Sequence, residues 1–207
     1  MGSIFSRNGD WKNFYKNSPV TSIIIILNTL YLIAILATGG FDIYNLYDLG
    51  AIFKSAVVDD QEWWRIITAG FMHGGMLHFL GNVIIGLLTL SSALERMIGS
   101  KKFSFIYFGS LVFSGLAVVF FGSATAVTIG ASGAIFGVLG SLLYITFYRR
   151  DLVTPQDIQS IRSLIVINIL FTFLSGGISV SGHVGGIVVG FLLSFIIIRR
   201  NIFKVLH

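Results

Sequence analysis

The sequence predicts an all-α membrane protein: a bundle of six transmembrane helices, both termini on the cytosolic side, with a long loop between helices 1 and 2 lying partly in the membrane interface. Three observations carry this expectation. Of the 207 residues, 55% are hydrophobic and 11% charged, with a mean hydropathy of +0.87, which is more apolar surface than a water-soluble core of this size can bury. Apolar runs close to the ~20 residues that cross the hydrocarbon recur along the chain, separated by short polar joints. Lys and Arg gather in the N-terminal segment, after the second and fourth runs and at the C-terminus, leaving Lys54 and Arg65 on the other side; by the positive-inside rule both ends are cytosolic.

In chain order, residues 1–18 mix Arg7, Lys12 and Lys16 with Trp11, Phe14 and Tyr15, a cytosolic and interfacial anchor. A six-helix membrane domain is expected over 19–199, followed by a short cytosolic tail, 200–207. The first run, 20–37, is longer than a signal-peptide core and lacks a clean small-x-small exit, so a retained helix is expected. Residues 38 to about 75 form a long connection too rich in aromatic and aliphatic residues for a solvated loop. Further spans are expected at about 76–98, 103–121, 132–148, 161–174 and 182–198. A polar joint covers 151–159, and Gly176-Gly177 breaks the chain before the last span.

The charge of +5 sits at segment ends, so nucleic acid is not an expected partner; the lipid bilayer is. With no Cys, disulfides and thiolate chemistry are excluded.

The polar residues inside the spans collect at one end, the outer one. Ser132 lies in Gly130-Ala131-Ser132-Gly133-Ala134, among residues too small to shield it. Such a stretch serves either close helix packing or a nucleophile that a substrate must reach. His183 enters the sixth span at matching depth, and Gly182, Gly186 and Gly190 recur on one face of that helix as Gly133 and Gly137 do on the fourth. Close packing of the two helices would bring an imidazole within proton-transfer reach of the hydroxyl. His78 and Asn82, four apart at the start of the second span, share a face, with His73 held off the helix by Gly74-Gly75. With the backbone N–H groups of Ala131 and Ser132 at a helix start, His78 and Asn82 are candidates for an oxyanion pocket.

Three other readings fit these residues less well. A zinc site is disfavoured because no carboxylate or Cys shares that depth, so no metal is expected. A Ser-His-Asp triad is disfavoured because every Asp lies outside the spans and Glu95 lies at the cytosolic end. A transporter would gather polar groups near the midplane instead of at one face.

Together, Gly130-x-Ser132-Gly133, His183 with its following glycines, His73-x4-His78-x3-Asn82 and Glu62-Trp63-Trp64-Arg65 resemble the rhomboid intramembrane serine proteases over nearly the whole chain. The resemblance implies a rhomboid-like bundle that cleaves a peptide bond in or near the transmembrane segment of single-span or other membrane proteins. In it Ser132 attacks, His183 acts as base and then acid, His78 and Asn82 serve the oxyanion, and no cofactor takes part. It implies a small residue before the cleaved bond and a mobile fifth span, with Phe171 and Phe173 above Gly176-Gly177. Many relatives carry Tyr four residues after the serine; here Phe136 keeps the ring and loses the hydroxyl. A catalytically inactive, client-binding relative is the alternative. Small size and the lack of a transit extension give a bacterial plasma membrane as the expected location, the site opening to the extracytoplasmic side.

Overall fold

The computed structural model describes residues 3–5, 13–174 and 177–198. Arg7, Trp11, Lys12, Gly176, Arg199, Arg200, Lys204 and the tail 200–207 lie outside the described residues. After a helical turn at Phe14–Asn17, nine helices follow among the described residues: α1 Pro19–Thr38, α2 Ile43–Asp48, α3 Lys54–Val58, α4 Arg65–Thr68, α5 Met76–Ile98, α6 Ser100–Phe121, α7 Ser132–Tyr148, α8 Pro155–Leu174 and α9 Val180–Ile197. Among the described residues the extended pairing is a single bridge, Ile52 with Thr128.

Five of these, α1, α5, α6, α8 and α9, are long and apolar enough to cross a membrane; α7 is shorter, at 17 residues. At 1.5 Å per residue α7 spans about 25 Å, less than the ~30 Å hydrocarbon. Its burial compensates for its length. Ala134, Val138, Leu139, Leu142 and Ile145 are fully enclosed by α5, α6 and α9, so the helix can begin beneath the surface while its neighbours face lipid.

The close packing of α7 on α9 expected from the glycine pattern is present, with a different division of faces. The bare faces of Gly133 and Gly137 lie mainly on α6, where a Cβ would strike Ser114 and Ser110, and reach the Gly182 and Gly186 carbonyls of α9 at 3.9 and 3.4 Å. The contact with α9 runs through their carbonyl oxygens, on which Gly186 and Gly190 rest so closely that a Cβ would lie 2.1 and 1.9 Å from them. Gly140 in turn faces the Ile187 carbonyl.

Other differences are local. The fifth span starts at Pro155, six residues before the expected 161, because Thr154 and Asp157 form a reciprocal cap: Asp157 N–H donates to Thr154 Oγ1 (3.1 Å) and Thr154 N–H to Asp157 Oδ2 (3.0 Å). Asp157 also accepts from Ser3 Oγ and the Ile4 N–H, tying the N-terminal segment to this helix. Within α5, residues Gly81–Ser91 are wound as a π-helix, which apolar periodicity does not reveal. Glu95, buried at the far end of α5, accepts from the N–H groups of Val20 and Thr21 and caps α1.

The long connection is built of α2, α3, α4 and a 3-10 turn, and Leu46, Ile52, Val57, Ile66, Phe71 and Met72 are buried against the bundle. Arg65, 3% exposed, holds it together: it pairs with Glu62, donates to the carbonyls of Tyr47 (2.6 Å) and Ala51 (3.0 Å), and lies over the rings of Tyr47 and Trp64. Trp64 is itself half exposed and backs Gly50.

Candidate active site

The link before α7 is pinned at two points. Ile52 and Thr128 exchange backbone hydrogen bonds, and Gly130 N–H donates to the Ala69 carbonyl at 2.8 Å. Gly130 has φ +125°, a conformation that favours glycine. The space its missing side chain vacates is filled by the His78 ring, whose Nε2 would lie 2.8 Å from a Cβ. The bareness of Gly130 thus admits the His78 ring.

Ser132 opens α7, so its hydroxyl and the N–H groups of the first turn share one helix end. His183 lies one turn into α9, behind the Ser179 cap, and is 7% exposed. The glycine-on-carbonyl contacts set the two helices so that His183 Nε2 and Ser132 Oγ stand 2.9 Å apart. Phe136, one turn below the serine, stacks on the imidazole with centroids 3.8 Å apart and planes 17° from parallel.

The Rhomboid domain matches residues 60–200. The chain belongs to the rhomboid family. It is 31% identical to a putative rhomboid protease, YdcA, of Bacillus subtilis over 96% of this chain and 98% of that protein. It is 36% identical to the rhomboid protease GluP of the same organism over 67% of this chain and 27% of that protein, and 31% identical to RHOMBOID-like protein 4 of Arabidopsis thaliana over 75% and 39%. Family and apolar helices together make it an integral, multi-pass membrane protein.

The other expected residues of this rhomboid chain converge unevenly. His78 Nδ1 accepts the Gly74 N–H, a long contact at 3.5 Å, while Nε2 is turned toward Gly130 and the serine. A neutral ring accepting at Nδ1 carries its proton on Nε2, the atom facing the pocket. Asn82 is buried, and one of its amide protons goes to the His78 carbonyl in its own helix (2.9 Å). His73 is fully buried outside the helix, edge-on to His78 and Phe79. Burial, and secondarily the nearby His78, push its pKa down to about 3. Trp64 and Arg65 shape the connection and touch neither Ser132 nor His183. No group of three metal-ligating side chains converges among the described residues.

One neighbour of His183 was not singled out in the sequence. Thr172 of α8, 3% exposed, places Oγ1 2.8 Å from His183 Nδ1. Its signal was available, since Asn168 and Thr172 are polar residues one turn apart in an otherwise apolar run. A cavity of about 100 Å³ adjoins it between α7, α8 and α9, lined by Phe136, Ile169, Phe173, Val184 and Ile187 beside Thr172 and His183.

Proposed function

We propose that this rhomboid protein is a serine endopeptidase that hydrolyses a peptide bond in or near the transmembrane segment of membrane-protein substrates, using Ser132 and His183 as a dyad. The observation that carries the reading is the 2.9 Å contact between Ser132 Oγ and His183 Nε2 in a half-buried site. As Oγ attacks the carbonyl carbon, its proton passes to Nε2. The carbonyl oxygen, now negative, meets His78 Nε2–H, the second Asn82 amide proton and the backbone N–H groups of Ala131 and Ser132, in a setting with little water to compete. Collapse of the adduct expels the new amine, which takes the proton from Nε2. Water then attacks the Ser132 ester, His183 again takes the proton, and release of the acid restores the hydroxyl.

The same reading has six crossings, cytosolic termini and a site opening to the extracytoplasmic face of a bacterial plasma membrane. A 17-residue α7 supports it, since a short helix lets the serine lie near one surface. The sequence-based expectation of a small residue before the cleaved bond goes with it.

The test is cleavage of a single-span reporter in liposomes by the parent, Ser132→Ala and His183→Ala. Each variant should lose at least ~10³-fold in rate, the scale of a removed nucleophile or base. Either variant cutting as fast as the parent overturns the dyad. A folded parent that binds reporters without cutting any, and that no fluorophosphonate labels at Ser132, makes the chain a client-binding relative.

A further inference from the structure

We propose that Thr172 is a positioning residue for the dyad: its hydroxyl accepts the Nδ1–H of His183, selects the tautomer whose Nε2 lone pair faces Ser132, and makes a competent dyad conditional on α8 being seated. The inference rests on the hydrolase reading above and extends it to a residue on a different helix from either member of the dyad.

The argument starts from one proton. Thr172 Oγ1 lies 2.7 Å from the Asn168 carbonyl and 2.8 Å from His183 Nδ1. A carbonyl can only accept, so the single hydroxyl proton goes to Asn168 and the oxygen's lone pairs face the ring. Nδ1 then has to be the protonated nitrogen. The neutral ring keeps its free lone pair on Nε2, 2.9 Å from Ser132 Oγ, where a general base needs it. In the opposite tautomer Nε2–H would point at the serine, and Thr172 would have to abandon Asn168 to donate to Nδ1. The same bond holds the ring when it becomes an imidazolium; Thr172 itself neither gains nor loses a proton.

The second part comes from how α8 is packed. It buries Asp157, Ile161 and Ile165 in its first half and Thr172 near its end. Val166, Ile167, Leu170, Phe171 and Phe173 face outward, and a cavity of about 100 Å³ lies between Ile169 and Phe173 of this half and Phe136, Val184 and Ile187 of its neighbours. Among the described residues, the Thr172 hydroxyl is a polar link between the end of α8 and the dyad. Displacement of this half of the helix would release His183 Nδ1 and let the ring turn or change tautomer.

The experiment uses full-length protein with 15N-labelled histidine in lipid nanodiscs, His183 being assigned from the signals lost in His183→Ala. In the parent, His183 should be a neutral ring protonated at Nδ1. Thr172→Val, close in shape but without the hydroxyl, should populate the Nε2–H form and lower kcat by roughly 10- to 100-fold, part of the ~10²–10⁴ that a positioned base contributes, with KM within about twofold. Thr172→Ser should restore Nδ1–H and most of kcat. An Nε2–H ring in the parent, or a Thr172→Val enzyme with the parent's kcat and tautomer, overturns the proposal. Reading the parent's tautomer needs neither turnover nor a folded Thr172 variant. A parent that cuts nothing while showing Nδ1–H refutes the hydrolase reading and leaves the tautomer assignment standing.

Discussion

Substituting Gly186 by Ala tests whether backbone contact sets the dyad distance. The added Cβ would sit 2.1 Å from the Gly133 carbonyl oxygen and 3.3 Å from Phe136 Cβ. Contacts under 3.0 Å are essentially never seen, so α7 and α9 must part locally by about 0.9 Å. Gly133 directly follows Ser132, and Gly186 is one turn from His183, so most of that displacement reaches the pair. The 2.9 Å contact would open to about 3.8 Å, beyond hydrogen-bond range. Misplacement on this scale costs on the order of 10²-fold in rate, about 2.7 kcal/mol of barrier. Overpacking should lower stability by about 1–3 kcal/mol. The assay is initial-rate cleavage of a single-span reporter in liposomes, with thermal unfolding in parallel. Gly81→Ala is the control, because a Cβ there meets nothing within 4 Å and its rate should match the parent's. A Gly186→Ala enzyme within threefold of the parent, with an unchanged Tm, refutes the view that this contact sets the dyad distance.

Phe136→Leu should lower kcat/KM by roughly 2- to 12-fold, the equivalent of the ~0.5–1.5 kcal/mol that a ring stack contributes beyond its area; unchanged kinetics would remove the ring as a platform for His183. Arg65→Lys should reduce stability by about 3 kcal/mol, because a point-like ammonium leaves the buried carbonyls of Tyr47 and Ala51 poorly satisfied and loses the stacking on Tyr47 and Trp64. Thermal unfolding in detergent measures it, and an equal Tm contradicts it. For His73 the sign is set by a folded pKa of about 3 against ~6.5 in the unfolded chain. As pH falls the unfolded chain is protonated first, so stability is full above about pH 6.5 and declines toward pH 3, by up to ~1.4 kcal/mol per pH unit. The loss of Tm between about pH 7 and pH 4 should therefore be smaller in His73→Phe than in the parent; equal losses would show that His73 is not held neutral.

Much of this was legible in the chain because lipid makes the code simple: long apolar runs must be helices, and a polar residue inside one needs a reason. Ser132 and His183 stood out on those terms, and the four-residue glycine steps correctly implied close packing of their helices. What the steps could not reveal was which side of each glycine is used, since a bare face and an exposed carbonyl look alike in sequence. Gly133 and Gly137 set their bare sides mainly on α6 and their carbonyls under α9, and the space beside Gly130 holds the His78 ring. Thr154 and Asp157 were read as part of a polar joint although their three-residue spacing is a cap signature. The π-helical winding of α5 and the reach of Thr172 to His183 depend on tertiary geometry, which hydropathy does not encode.

The glycine contacts also limit how the molecule can move. Gly186 on the Gly133 carbonyl and Gly190 on the Gly137 carbonyl are two teeth of one rack, cut at the same four-residue pitch in α7 and α9. Sliding either helix along its axis would drive a carbonyl into a side chain such as Ile187 or Phe136, so the two cannot change register without separating. Any opening that admits a substrate must then be made by parts off the rack, α8 and the long connection, while serine and histidine keep a common height.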